Sequence, residues 1–334
     1  MFNIVKINWY ICSMIYNKEY MAKRLESLGF ATNVLERYEE HQRFYHTIEH
    51  LSEILNELES NDLLKDDDYF LATIYHDAIY IPQSSTNEQD SATLFEMESN
   101  ISNISNIQRS TIISMILDTK KHTSTHPKSK MFIEADLAIF KSSLYRLVKY
   151  ENQIFKEFQY VPYFIYKEER VKVLEHFKSI HEKNIEFLIN YVKCREPKIG
   201  IFLGSFNPFH KGHYDILEKA EAIFDKVIIG FGKNLDKNNK TWDIPDKIKN
   251  RQITHYDGLL TDHIEKDIIH DVTLIRGLRN ITDFAHEQNQ CEFLKNLKPD
   301  IKICYLSCDF DHQIISSSAI RTLEKYGKHK QYML

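Results

Sequence analysis

The sequence predicts two domains of different class, an all-helical one over residues 1–195 and an α/β one over 196–334 built on a parallel sheet. Three observations lead there. From Lys18 to Lys193 apolar side chains recur three and four apart, as in Leu51-Ile54-Leu55-Leu58 and Ile185-Leu188-Ile189-Val192, the period of a helix with one buried face. At Cys194-Arg195-Glu196-Pro197 that period stops, and Pro197 lacks the N–H that a continuing helix needs. Beyond it, short strand-like runs alternate with helical patterns, as parallel strands joined by crossover helices require.

The elements follow in order. Trp9-Tyr10-Ile11-Cys12-Ser13-Met14-Ile15-Tyr16 is short, aromatic and without a small-residue cleavage site, so a packed first helix is expected there rather than a signal peptide. Met1, Met14 and Met21 all remain open as the start. Helical segments follow, separated by a polar connection at 101–106 and by a loop rich in Ser, Thr, Lys and Pro at 122–130. The first strand begins at Lys198 or Ile199, and Phe224-Asp225-Lys226-Val227-Ile228-Ile229-Gly230 reads as the second.

Composition bounds the function classes. With 334 residues the chain suits two domains, each large enough for its own core. Hydrophobic residues at 43% and charged residues at 27% exclude disorder for most of it. A net charge of -5, from 43 Lys+Arg against 48 Asp+Glu, offers no general basis for nucleic acid, so local cations are expected to serve small phosphorylated ligands. The five cysteines (Cys12, Cys194, Cys291, Cys304, Cys308) show no Cys-x-x-Cys spacing and read as thiols, with Cys304 and Cys308 on one face of a strand. Without an apolar stretch of about 18 residues, a membrane span is not expected, and the expected location is cytoplasmic.

The richest stretch is Gly204-Ser205-Phe206-Asn207-Pro208-Phe209-His210-Lys211-Gly212-His213, a strand-to-helix turn with two histidines three apart. Amides at a helix start carry partial positive charge, and imidazoles beside them can hydrogen-bond phosphoryl oxygens. Two further strand-to-helix junctions follow, Leu274-Ile275-Arg276-Gly277-Leu278-Arg279-Asn280-Ile281-Thr282-Asp283-Phe284 and Ile314-Ile315-Ser316-Ser317-Ser318-Ala319-Ile320-Arg321. In this order the three segments resemble the Rossmann-like nucleotidylyltransferases with a His-x-Gly-His signature. The Arg276 to Phe284 string resembles the phosphopantetheine adenylyltransferases in particular.

That resemblance implies attack of an acceptor phosphate on the α-phosphorus of ATP, assisted by Mg²⁺, with 4′-phosphopantetheine as acceptor and dephospho-coenzyme A and pyrophosphate as products. It implies catalytic roles for His213, His210 and Arg279, and acceptor binding by Ser205, Lys240 and Arg276. ATP would be bound by Gly204, Phe206, Gly277, Glu287, Ser316, Ser317, Ser318 and Arg321. Asn207 departs from the pattern, standing where an aspartate is usual. Nicotinate or nicotinamide mononucleotide adenylyltransferases share the first and last motifs, as do glycerol-phosphate cytidylyltransferases, which leaves a pyridine mononucleotide as an alternative acceptor. The family also implies a homo-oligomer.

The first domain carries a second constellation. Arg43-Phe44-Tyr45-His46-Thr47-Ile48-Glu49-His50-Leu51 sets His46 and His50 four apart, hence on one helical face, and Tyr75-His76-Asp77-Ala78 follows one helix later. With Asn87-Glu88, Leu117-Asp118-Thr119-Lys120-Lys121-His122, Ala135-Asp136-Leu137 and Glu182-Lys183-Asn184-Ile185, the pattern resembles the HD superfamily of metal-dependent phosphohydrolases. The resemblance implies His50, His76, Asp77 and Asp136 as metal ligands, with His46, Glu88 and His122 behind them or at a second metal. The ligand set suits Mn²⁺, Fe²⁺, Co²⁺, Zn²⁺ or Mg²⁺. Such an ion lowers the pKa of its water from about 16 to about 7, and the substrate is then a small phosphate ester. The alternative is a catalytically silent module that senses nucleotide or builds the oligomer. A second His-Asp pair, His270-Asp271, lacks partners nearby in the sequence.

Overall fold

The computed structural model describes residues 16–100, 102, 104–232, 243–258, 261, 264 and 271–334, so the expected first helix lies mostly outside the described residues. The first part is helical: α1 (Lys18–Ser27), a 3₁₀ turn (Asn33–Glu39), α2 (Ile48–Ser60), α3 (Asp67–Tyr75), α4 (Asn87–Ser99), α5 (Asn106–Asp118), α6 (Pro127–Asp136), a 3₁₀ segment (Leu137–Lys141), α7 (Leu144–Glu157), α8 (Tyr163–His176) and α9 (Glu182–Cys194). Helix starts are set locally. The Asn17 side chain accepts the Tyr20 N–H at 2.9 Å, Ser105 and Gln108 form a reciprocal capping box for α5, and Pro127 fills the first turn of α6, where no N–H is required. The apolar stripes read from the sequence are the buried ones: Leu51, Ile54, Leu55 and Leu58 of α2 pack with Phe70, Ile74, Phe95, Met115 and Phe132. Each such side chain contributes about 1.5–3 kcal/mol by leaving water.

Packing divides the chain into two units, one holding the residues up to Glu157 together with Arg170–Val192, the other Phe158–Glu169 together with Lys193–Leu334. In the second unit the order is β1 (Ile199–Gly204), α10 (Lys211–Glu221), β2 (Lys226–Gly232), β3 (Gln252–Tyr256), β4 (Val272–Leu278), α11 (Ile281–Leu297), β5 (Lys302–Ser307) and α12 (Ser317–Glu324), so helices follow β1, β4 and β5 as the sequence predicts, while among the described residues only a 3₁₀ turn separates β2 from β3. Among the described residues the strands form one parallel sheet in the order β3-β2-β1-β4-β5. Ile201 stands opposite Ile228 on one side and Leu274 on the other. The chain therefore builds outward from β1 in one direction and then returns to its other side, which opens a crevice beyond the carboxyl ends of β1 and β4. Phe202, Ile216, Leu217, Val227, Ile229 and Ile275 form the core beneath it.

Two details depart from the local expectation. Helix α2 begins only at Ile48, so His46 lies in the turn before it and shares no helical face with His50. The cause is distant: Glu157, at the end of α7, accepts the backbone N–H groups of Phe44, Tyr45 and His46 at 2.7, 2.7 and 3.0 Å and holds those residues as a turn. Strand β5 ends at Ser307, so Cys308 lies beyond it and does not share a strand face with Cys304. Lys226 is buried at the start of β2, where its ammonium donates to the Gln159 carbonyl and, at 3.0 Å, to that of Val161. Burial pushes its pKa down to about 7.

Candidate active site and candidate metal centre

The crevice beyond β1 and β4 is a cavity of about 390 Å³. From the β1–α10 turn it receives Gly204, Ser205, Phe206, His210 and His213, from β4 and α11 Arg276, Gly277, Arg279 and Glu287, and from α12 Ser316, Ser317, Ser318 and Arg321. Lys240 lies outside the described residues. Phe206 shapes the turn, with a left-handed φ of 39° and its ring among those of Phe202, Phe209 and Phe231 at 4.9, 5.1 and 5.2 Å between centroids.

The two histidines act as one stack, 3.7 Å between ring centroids and 20° between planes. Nδ1 of His213 accepts the His210 backbone N–H at 3.3 Å, so in the neutral ring the proton sits on Nε2. Burial pushes the His210 pKa down to about 4, helped by the Arg279 charge. Burial, His210 and Arg279 likewise hold His213 well below the usual range. Both rings are therefore neutral donors near pH 7.

Two of the three arginines face carboxylates. Arg279 Nε and Nη2 donate to Asp283 at 2.8 and 2.9 Å, while the Asn280 side chain caps α11 by accepting the Asp283 N–H at 3.0 Å. Arg276 Nε lies 3.0 Å from Glu287 Oε2, yet both atoms are buried without an aligned hydrogen bond, as is His210 Nδ1. Ser316 caps α12 by accepting the Ala319 N–H at 3.2 Å, Ser317 donates to the Pro208 carbonyl at 3.1 Å, and Arg321 donates to Ser318 at 3.0 Å and to the Asn207 carbonyl. A helix N-terminus, four hydroxyls, three guanidinium groups and two neutral imidazoles thus face one space, a donor set that suits a polyphosphate. Sequence reasoning assigned no role to Asp283 or His286, which also line the cavity; Arg279 precedes the N-cap of α11, and its pairing with Asp283 in the first turn follows from the fold of that junction.

In the first unit His50, His76 and Asp136 each offer one ligand atom, a ring nitrogen or a carboxylate oxygen, and these lie within 4.8 Å of one another. Asp136 Oδ1 is 3.2 Å from His50 and 3.7 Å from His76, and Asp77 Oδ2 is 3.0 Å from His76 and 4.0 Å from His50. His76 caps the end of α3 with Nδ1 on the Thr73 carbonyl at 2.9 Å, which turns Nε2 toward the cluster, where that buried atom lacks an aligned partner. Arg43 fixes the next turn by donating to the carbonyls of Asp77 and Ala78 at 2.7 and 3.1 Å. Burial opposes the charge on His76, but Asp77 and Asp136 outweigh it and raise its pKa to about 9. Burial also opposes ionisation of Asp77, and the His76 and His46 charges prevail, holding it well below the carboxylate range. The orphaned Nε2 and the mixed imidazole-carboxylate set fit a divalent ion.

His46 and His122 flank this group, His46 Nε2 at 3.9 Å from Asp77 and His122 Nε2 at 3.6 Å from Asp136. Glu88 instead faces Lys120, 3.6 Å away. Sequence reasoning missed Glu157, fully buried, whose second oxygen receives His46 Nδ1 at 2.7 Å and the Tyr80 hydroxyl at 2.8 Å. No motif surrounds it, and it lies 111 residues from His46.

Residues 201–323 match a family model described as cytidylyltransferase-like. The chain is 39% identical over 140 residues to a phosphopantetheine adenylyltransferase of Mycoplasma capricolum subsp. capricolum, a match covering 39% of this chain and 99% of that protein. The chain belongs to the phosphopantetheine adenylyltransferase family. Family members of Cytophaga hutchinsonii and Streptococcus pneumoniae are 38% and 34% identical, with 91% and 86% of their lengths covered. The family likeness extends over the second part of the chain, where the nucleotidyltransferase cavity lies.

Proposed function

We propose that the chain is bifunctional, with a phosphopantetheine adenylyltransferase domain at 196–334 and a metal-dependent phosphohydrolase domain of the HD type at 1–195. The transferase reading is carried by one observation: the three signature segments meet in a single cavity at the carboxyl ends of β1 and β4, in a chain similar over that part to proteins named for this reaction. A phosphate oxygen of 4′-phosphopantetheine attacks the α-phosphorus of ATP, the bond from that phosphorus to the β-phosphate oxygen breaks, and pyrophosphate departs with the electron pair. The Nε2–H of His213 donates to the α-phosphate oxygen on which charge grows, and its neutral state avoids a proton-transfer step. Arg276 leaves its unaligned contact with Glu287 for the acceptor phosphate, and the start of α12 takes the outer phosphates of ATP. When bound with ATP, Mg²⁺ would supply charge neutralisation, and of the cavity lining only Asp283 and Glu287 are carboxylates, the other polar side chains being mostly donors to phosphate.

The phosphohydrolase reading is supported by the convergence of His50, His76, Asp77 and Asp136, which come from three separate segments of the first unit. A divalent ion there supplies Lewis acidity toward a phosphate ester and acidifies water. His50, His76 and Asp136 would hold the ion, Asp77 stands beside it, and Glu157 keeps the His46 proton on Nδ1 so that Nε2 faces the cluster.

One preparation tests both. With ATP, Mg²⁺ and 4′-phosphopantetheine, mass spectrometry detects dephospho-coenzyme A and pyrophosphate, and His213→Ala lowers kcat by about 10²–10³. Adenylation of nicotinamide mononucleotide instead overturns the acceptor. Apo protein loaded with Mn²⁺ hydrolyses p-nitrophenyl phosphate, and His50→Ala does not; equal turnover by both proteins removes the hydrolase assignment.

A further inference from the structure

A second cavity, of about 310 Å³, lies in the first unit and is lined by His122, Lys130, Ile133, Glu134, Leu137, Lys141 and Ile180, among others. Its position ties it to the cluster of His50, His76 and Asp136. His122 reaches Asp136 Oδ2 at 3.6 Å, and Leu137 follows Asp136 directly in the chain. His122 is also a non-glycine residue at a positive φ, 49°, a conformation that persists where surroundings impose it. Its ring is wedged edge-on against Phe177, 5.0 Å between centroids at 89°. Asn184 anchors the 3₁₀ segment that carries Lys141 by donating to the carbonyls of Phe140 and Ser142 at 2.7 and 3.1 Å. One residue of the cavity lining, His122, thus reaches Asp136.

We propose that this cavity is the substrate pocket of the phosphohydrolase and that it takes a small phosphomonoester with an apolar body rather than a nucleotide. The proposal rests on the hydrolase reading and adds the substrate class. Ile133, Leu137 and Ile180 give the cavity an apolar floor. Lys130 and Lys141 have no ion pair among the described residues, and with Glu134 as the opposing carboxylate they leave a positive excess for an anion. Among the described residues no Phe, Tyr or Trp lines the space, so a base has no such ring to stack on. The volume also lies near the lower end of the range for small-molecule sites, about 300–1,000 Å³. The reaction balances without a co-reactant other than water: an oxygen–phosphorus bond forms from water, the ester oxygen–phosphorus bond breaks, and the alcohol leaves with a proton.

The test uses the full chain, butyl phosphate and AMP as substrates, and butylphosphonate as a ligand that cannot be hydrolysed. Calorimetry is expected to show Mn²⁺ binding that His50→Ala loses, and kcat/KM for butyl phosphate about tenfold or more above that for AMP. In Lys130→Ala/Lys141→Ala, and separately in Ile180→Trp, butylphosphonate binds the Mn²⁺-loaded protein about tenfold more weakly while Mn²⁺ affinity stays unchanged. If Mn²⁺ binds and phosphomonoesters turn over, but AMP is preferred or neither variant alters butylphosphonate binding, the pocket assignment fails and the hydrolase reading stands. If His50→Ala binds Mn²⁺ as the wild type does, the hydrolase reading fails and takes the pocket with it.

Discussion

His210 illustrates how much a single side chain owes to its surroundings. As a residue type it titrates near 6.5, but buried beside Arg279 it titrates at about 4, so the unfolded chain takes up a proton first as pH falls. Its contribution to stability is constant above pH 6.5, declines between 6.5 and 4, and is level below. By linkage the wild type loses about 2 kcal/mol from this residue between pH 7 and pH 5. Urea unfolding of wild type and His210→Asn at those two pH values measures it: the stability difference between the proteins must shift against the wild type by that amount. A difference that stays constant over the interval refutes the buried neutral state. The histidines themselves were legible in the sequence as a pair at a strand-to-helix turn; their tautomer and low pKa were not, because these follow from a backbone N–H within the turn and a guanidinium just past the end of β4.

At the level of elements, the sheet depends on one close approach. Gly230 of β2 faces Leu203 of β1, and a Cβ at Gly230 would lie 2.0 Å from Leu203 Cδ2, which is buried. Gly230→Ala therefore overpacks the β1–β2 contact and is expected to destabilise the second unit by about 1–3 kcal/mol, read from the urea midpoint. An unchanged midpoint would mean that Leu203 finds another rotamer at no cost. Pro127, read as part of a loop at 122–130, opens α6, whereas the first strands could be read from apolar runs and breaks, and the cap at Ser316 from residue type, since these are local properties. The start of α2 could not, because Glu157 claims the N–H groups of residues 44–46 from more than a hundred positions away.

For the molecule as a whole, two units with separate hydrophobic cores carry two separate sites. A ligand that binds only the native state raises stability by about 2.7 kcal/mol at a hundred times its Kd. Mn²⁺ is thus expected to raise the melting temperature of the metal-free protein, and ATP with 4′-phosphopantetheine to raise it through the other site. His50→Ala abolishes the Mn²⁺ shift and keeps the nucleotide shift, whereas His213→Ala keeps the Mn²⁺ shift. A Mn²⁺ shift retained in His50→Ala would contradict the assignment of the ion to the His50, His76 and Asp136 cluster.

By itself the sequence determined the helical first part, the parallel α/β second part and the signature segments that line the transferase cavity. Periodicity, capping and strand-to-helix turns are short-range, so neighbouring residues are enough to specify them. Only the tertiary structure decided that Glu157 orients His46, that Arg276 stands against Glu287 without an aligned bond, and that His122, which lines a cavity with two lysines, reaches Asp136. Each of these depends on which distant segments pack together, and on the burial that then sets the charge of the groups between them.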